Sequence, residues 1–375
     1  DNIQPYTEFA KPKGKIKIGY VSQNFNNHAM FSFAYGMIAS HDRNKFEITC
    51  YSLNKYEDVF TNLYKNQVDK FIDVRGLNFA ELAEKIHNDK INVLVDLSGH
   101  SAGNVLPVFA YKPAPIQVSG IAYMFTTGLK AMDYFLTDPI VDPPGQHEKF
   151  FSETLLYLPS QLCYAMRENV PVPQYAPATK RDFKVFGTIC RYEKINDDML
   201  KIWKIILDRV PDSVLLMRAQ EFVSNSTIDQ LYSRMKNIGF NMDRIMFRPA
   251  VADLLPELLH VDVILDSYPC VGGATTFDAL YMGVPVVSFY GERRNTRLGL
   301  SIFKQFGIEG LAVPMTSAKD YIERAVGLAN VLGALDALHK NLRNMMKQPL
   351  SIRTRPYTHA LEEKFIQDLN EKFNA

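Results

Sequence analysis

The chain has 375 residues, 47% of them hydrophobic and 22% charged, which is an ordinary globular composition with room for about two domains. Its 42 basic and 41 acidic residues leave a formal net charge of +1, so no global field favours a nucleic acid or an anionic membrane as partner. An anion site has to be built locally.

The four cysteines, Cys50, Cys163, Cys190 and Cys270, form no CxxC pair or Cys/His cluster, and the eight histidines include no HExxH. A disulfide framework or a zinc site is therefore not expected. Reduced thiols, no cleavable leader at Asp1 and no apolar run of bilayer length give the expectation of a cytoplasmic protein without a membrane span.

The first series of elements opens with Lys15–Ser22, a β-branched run read as a strand. A helix is expected from about Ala29 to Ser40. Strands are expected at Phe46–Leu53, Phe71–Val74, Ile91–Leu97 and Ile116–Tyr123, with a helix over Asn78–Asp89. Met132–Thr137 and Thr154–Leu158 are further short apolar runs. The pattern stops at Val170–Thr179, which carries three prolines and reads as a linker.

A second series begins at Phe183–Ile189. It continues with helix Asp197–Arg209, strand Ser213–Met217, helix Thr227–Ile238, strand Arg244–Phe247 and short helix Leu254–His260. Strand Val261–Leu265, helix Thr275–Met282, strand Pro285–Phe289 and helix Thr296–Phe306 follow, and Ser317–Phe373 is mostly helical. Alternating strands and helices imply an α/β protein of parallel sheets covered on both faces. The expected division is 1–169, a linker at 170–182, a second domain at 183–350 and a final helix at 351–375. Two Rossmann-like domains are expected to face a cleft, with ligand-binding loops at the carboxyl ends of the strands.

Four such loops carry polar chemistry. In Asp266-Ser-Tyr-Pro-Cys-Val-Gly-Gly-Ala-Thr-Thr-Phe-Asp278, Gly272 and Gly273 permit close backbone approach, and the start of the following helix offers N–H groups to a diphosphate. Ala274 opens that start, Thr275 and Thr276 add hydroxyls, and Asp278 could accept from a ribose. A capping box, with Thr275 as the cap and Asp278 reaching back, accounts for the same residues. In Thr188–Ile195, Arg191 and Lys194 could neutralise a leaving phosphate, or could simply be exposed cations beside Glu193. In Asn24–Ala29, His28 could carry a proton or touch a sugar, or could be an exposed residue at a helix start capped by Asn27. Asp96–Asn104, with His100, could line a ligand site, or Asp96 could only brace a turn.

The motifs Gly19-Tyr-Val-Ser-Gln-Asn-Phe-Asn-Asn-His28, Asp96-Leu-Ser-Gly-His100, Pro113-Ala-Pro-Ile-Gln117, Lys194-Ile195 and Gly272-Gly-Ala-Thr-Thr-Phe-Asp278 follow one another in order. So do Met132-Asp-Tyr134, Val210-Pro-Asp-Ser-Val214, Gly283-Val-Pro-Val-Val287 and Arg297-Leu-Gly299. Together they make the chain, from about Lys15 to Phe373, resemble the catalytic region of the protein O-GlcNAc transferase family, which includes the plant SPINDLY proteins and bacterial relatives.

The resemblance implies a GT-B fold, with the last helix crossing back to the first domain, and metal-independent, inverting transfer from a UDP-sugar to protein Ser or Thr. It implies that His28 lies beside the transferred sugar and Lys194 on the diphosphate. It further implies Thr275 and Thr276 at the phosphate, Asp278 at the ribose and the backbone of Ala250–Val251 at the base. Asn24, Asp96, His100, Tyr123 and Met124 would lie on the sugar side.

Some positions depart from the family pattern. Asn24 stands where aspartate is common, and Arg191 where glutamine or asparagine is. Ala122-Tyr-Met-Phe-Thr126 replaces a Gly-Tyr-Pro-Gly-Thr loop, and Met30 replaces a small polar residue. Relatives also carry upstream helices, often tetratricopeptide repeats, so an upstream region or a separate subunit is an expected partner in acceptor recognition. Alternatives are transfer of glucose or another hexose, including to asparagine, a UDP-sugar epimerase, and a non-catalytic partner subunit.

Overall fold

The structure, a computed structural model, describes residues 3–167, 170–347 and 353–374. They fall into two compact units. The first takes the chain up to Ala165 together with the C-terminal helix. The second takes the chain from Met166 up to that helix.

In the first unit the elements run β1 Ile16–Ser22, α1 Phe31–Ala39, β2 Phe46–Ser52, α2 Val59–Gln67, β3 Lys70–Asp73, α3 Phe79–Asn88 and β4 Val93–Asp96. Then come α4 Leu106–Ala110, β5 Ile116–Ser119, β6 Tyr134–Thr137 and β7 Thr154–Tyr157. The sheet order is β3-β2-β1-β4-β5-β6-β7, and every pairing is parallel. Central strands buried on both faces explain the near-continuous apolar runs: all four residues of β4 and of β5 are buried.

In the second unit β8 Lys184–Ile189, α5 Asp197–Arg209, β9 Ser213–Ala219, α6 Asn225–Ile238, β10 Ile245–Pro249, α7 Leu255–Leu258 and β11 Val263–Leu265 come first. They are followed by α8 Ala274–Tyr281, β12 Val286–Tyr290, α9 Leu298–Gln305, β13 Ala312–Pro314, α10 Ala318–Asn330 and α11 Leu332–Met346. The order is β10-β9-β8-β11-β12-β13, again with parallel pairing throughout. The apolar face of α5 puts Trp203, Ile206 and Leu207 into the core beside Met217 and Leu265. The α/β class and the two Rossmann-like sheets expected from the sequence are both present.

Three elements went unread in the sequence. Helix α2 buries only Thr61 and Tyr64 of its nine residues, so it lacks an apolar stripe. Its start is fixed instead by a capping box between Asp58 and Thr61. Helix α4 has five residues and β13 has three, too few for either period to register.

The proline-rich stretch read as a linker packs within the second unit. The Ala176 N–H donates to Asp336 at 2.9 Å and the Ala178 N–H to Asp262 at 2.7 Å. Arg343 reaches the Pro171 carbonyl at 2.7 Å.

The C-terminal helix, α12 Thr354–Asn374, packs on α1 in the first unit. The hydroxyl of Thr358 donates to the Met37 carbonyl and that of Tyr357 to the Gln161 carbonyl. Buried Glu362 accepts from the Asp42 N–H at 2.7 Å and from His41 Nδ1 at 3.0 Å. Nδ1 therefore carries the proton, and Nε2 accepts from the Tyr20 hydroxyl at 2.6 Å.

Burial holds the His41 imidazole below its ordinary pKa, and outweighs the pull of the Glu362 carboxylate; Arg43 and Arg355 push the same way as burial. The folded protein thus binds fewer protons here than the unfolded chain. The contribution of His41 is whole above its unfolded value of about 6.5 and is lost as pH falls below it. Glu362 is also held low, its bonds to His41 and Asp42 outweighing burial, and adds a loss of the same sign at lower pH. Denaturation midpoints are expected to fall between about pH 7.5 and 5.5, with a flatter slope in His41→Gln. An unchanged slope in the variant would remove His41 from the acid response.

Candidate functional site

Each unit gathers its polar loops at the carboxyl ends of its strands. In the second unit, β8 leads into Cys190 and Arg191, and a single 3-10 turn, Tyr192–Lys194, follows. Asn196 then caps α5 by accepting from the Met199 N–H at 3.0 Å. Arg191 is exposed and Lys194 half-buried. The Lys194 ammonium points at the Val271 carbonyl, 3.4 Å away, and the Asn196 amide donates to the Tyr268 carbonyl at 2.6 Å. These two contacts fasten the loop after β8 to the loop after β11. Burial pushes the neighbouring Cys190 thiol up to about 11, so it stays protonated at neutral pH and offers no thiolate nucleophile.

Helix α8 begins at Ala274, with Gly273 as its cap residue and no side-chain capping bond. The capping box that explained Thr275 and Asp278 equally well is therefore not formed. Asp278 is the fifth residue of the helix and lies beyond the first turn, where it had been expected. The Thr276 and Phe277 N–H groups both turn back to the Gly273 carbonyl. Thr276 is buried and Thr275 half-buried.

Gly272 is the tight point of the loop. A Cβ there would lie 2.6 Å from the Thr276 hydroxyl and 2.9 Å from that of Thr275, so both hydroxyls pack over it. Its N–H donates inward to Asp266, at 2.9 Å to Oδ1, and so does not point to a ligand. The unit thus brings Lys194 together with Gly272–Thr276. Ala250 and Val251 lie apart, beyond the end of β10, which is the sheet edge two strands from β8. The Ala250 N–H donates to the Ala219 carbonyl, and Val251 is exposed.

In the first unit the Asn24 N–H donates to the hydroxyl of Ser22, which ends β1. His28 is exposed, and its Nδ1 accepts from the Met30 N–H at 3.2 Å, which leaves the proton of the neutral ring on Nε2. Asn27 is not the helix cap. Its N–H donates to Asp58 at the head of α2, and buried Met30 occupies the cap position of α1.

Asp96 ends β4 and is 1% exposed. Its two oxygens accept from the N–H groups of Ser98 and Gly99 and from the Ser119 hydroxyl. The bracing role is the one these bonds describe. Burial raises the Asp96 carboxyl, and the three donors oppose that shift.

Gly99 has a φ of +53°, and a Cβ there would sit 2.1 Å from the Cβ of Tyr123. Only glycine lets the β4 and β5 loops touch there. His100 stands edge-on to the Tyr123 ring at 5.5 Å and bonds the Thr127 carbonyl at 2.9 Å. Gln23 reaches across to the Ala102 carbonyl, tying the β1 loop to the β4 loop. Met124 is half-buried and Phe125 exposed. Buried Glu153 holds this loop by accepting from Thr126 and from the Thr127 N–H.

Asp266, Ser288, Asn196, Glu153 and Gln23 were not singled out in the sequence. One signal was present: Asp96 and Asp266 both stand directly after a buried apolar run.

The model of the family described as Glycosyl transferase family 41 matches residues 2–169 and 174–361. A protein of Solanum lycopersicum named "Probable UDP-N-acetylglucosamine--peptide N-acetylglucosaminyltransferase SPINDLY" is 33% identical over 347 residues, 90% of this chain and 37% of that protein. An Arabidopsis thaliana protein with the same name ending in SEC is 30% identical, over 88% of this chain and 34% of its own length. This chain therefore spans little more than a third of these relatives.

Among solved structures, a point mutant of the Thermobaculum terrenum O-GlcNAc transferase superposes with a TM-score of 0.90 at 31% identity, over 100% of this chain and 72% of that one. Anabaena Alr3699/HepE, solved in complex with UDP and glucose, has a TM-score of 0.61 at 12% identity, over 93% of this chain and 99% of that one, and shows a shared fold alone.

Proposed function

The chain belongs to Glycosyl transferase family 41, and from that premise we propose that it transfers N-acetylglucosamine from UDP-GlcNAc to a serine or threonine of a protein acceptor. One observation carries the reading. The Lys194 ammonium is fastened beside the start of α8, a helix whose first turn has no side-chain cap and is flanked by two threonine hydroxyls. A fixed cation and uncapped helical N–H groups at one point suit a diphosphate leaving group.

In the proposed reaction the acceptor hydroxyl attacks the anomeric carbon in line with the departing UDP. The bond to the UDP oxygen breaks, and its electron pair leaves with the diphosphate. Lys194, Arg191 and the α8 dipole offset that charge, so the scheme uses no metal. The backbone around Ala250–Val251 takes the base and Asp278 the ribose. His28 contacts the sugar, and the proton of the acceptor hydroxyl passes to solvent.

The test is intact mass of a Ser/Thr-rich protein acceptor after incubation with a panel of UDP-sugars. The expected result is addition of N-acetylhexosamine from UDP-GlcNAc. Addition of a hexose alone would replace the sugar assignment. No addition and no release of UDP with any donor would overturn the reading. Conversion of free UDP-GlcNAc without acceptor would favour an epimerase.

A further inference from the structure

The two sheets carry the same device at the same place. Counted within each unit, both run 3-2-1-4-5 across their first five strands. Asp96 ends the fourth strand of the first unit, and Asp266 follows the fourth strand of the second. Each carboxylate is buried. Each accepts at 2.7 Å from a serine hydroxyl on the neighbouring fifth strand, Ser119 in β5 and Ser288 in β12. Each also accepts from two N–H groups of the loop it precedes. For Asp96 these are Ser98 and Gly99, and for Asp266 they are Ser267 at 2.9 Å and Gly272 at 2.9 Å.

The loops themselves differ, Leu-Ser-Gly-His against Ser-Tyr-Pro-Cys-Val-Gly-Gly. A buried carboxylate is costly unless its lone pairs are satisfied. Here the satisfaction comes from loop backbone, so the loop conformation and the charge depend on each other.

We propose that Asp266, seated by Ser288, is the positioning residue of the donor-diphosphate loop. The inference rests on the donor reading above and deepens it. Asp266 draws the Gly272 N–H inward. That fixes the turn from which Gly273, Ala274 and Thr275 enter α8, and it seats the two threonine hydroxyls over Gly272. The same loop offers the Val271 carbonyl to Lys194. One carboxylate therefore sets the helix start and the seat of the cation, while its own oxygens face the protein interior. It is not a catalytic residue, because both oxygens are taken by the protein.

The test compares wild type, Asp266→Asn and Ser288→Ala in UDP calorimetry, donor KM and kcat, thermal melting and exchange of the Gly272 amide. Asparagine keeps the shape but cannot accept at both positions. Asp266→Asn is expected to weaken UDP and raise donor KM by about tenfold, the loss of a hydrogen bond to a charged acceptor. The change in kcat is expected to be smaller, and Gly272 exchange faster. Ser288→Ala is expected to show the same pattern at about threefold, and it decides the matter if Asp266→Asn does not fold.

Variants that melt earlier yet bind UDP as wild type does would reduce the device to fold stability and overturn the proposal. So would a fall in kcat with KM unchanged. Failure of wild type to bind UDP would refute the donor reading instead. Gly272 exchange would then still report whether Asp266 holds the loop, and slow exchange in Asp266→Asn would refute that separately.

Discussion

Lys194→Ala is expected to lower kcat by about 10²–10³, the usual cost of removing one preorganised group that meets charge developing in a transition state. Lys194 is half-buried, and its ammonium lies 3.4 Å from the Val271 carbonyl, beside the start of α8. Charge on the diphosphate grows as the glycosidic bond breaks, so the loss should fall more on kcat than on donor KM. Melting should change little, because Lys194 has a long contact to one carbonyl and no place in the core. Lys194→Arg should recover part of the charge but not the geometry. Turnover equal to wild type would remove Lys194 from the reaction.

The second large effect concerns stability. Glu362→Ala is expected to cost about 1–3 kcal/mol for each of the two donors it leaves without an acceptor, with no buried charge stranded because His41 is neutral. The substitution strands the His41 Nδ1–H and the Asp42 N–H, while Arg355 keeps its bond to the Ser40 carbonyl. Glu362→Gln keeps an acceptor of the same size and should cost less. Urea denaturation measures both, and limited proteolysis should show α12 cleaved first in Glu362→Ala. A loss near zero would mean that Thr358, Tyr357 and the apolar face of α12 hold the helix by themselves.

These two predictions drew on the sequence unequally. The loops that carry Lys194 and His28 were legible as strand ends, because polar residues there interrupt apolar strand patterns at regular intervals. Helix α5 was legible to the residue, since its apolar period is regular; the Asn196 cap that fixes its start went unread. Helix α2 was not, because its few buried positions leave no stripe.

At the site, local rules misled twice. Asn27 has the chemistry of a cap, but its N–H donates to Asp58, and the cap position of α1 falls three residues later, at Met30. Thr275 and Asp278 have the spacing of a capping box, but Asp266 pulls the turn inward, and α8 starts at Ala274. Both errors come from carboxylates distant in sequence or buried from view. The Asp266–Ser288 bond joins residues 22 positions apart, and only strand register brings them together. Glu362 and His41 are 321 positions apart and meet only because α12 packs on the first unit.

The proposed function turns on a nucleotide diphosphate held where α8 begins and Lys194 points. Hydrogen exchange with and without saturating UDP tests it most directly. Slowed exchange concentrated at residues 271–276 and 190–196 is the expected result. UDP binding that slows exchange elsewhere and leaves those two segments unchanged would contradict it.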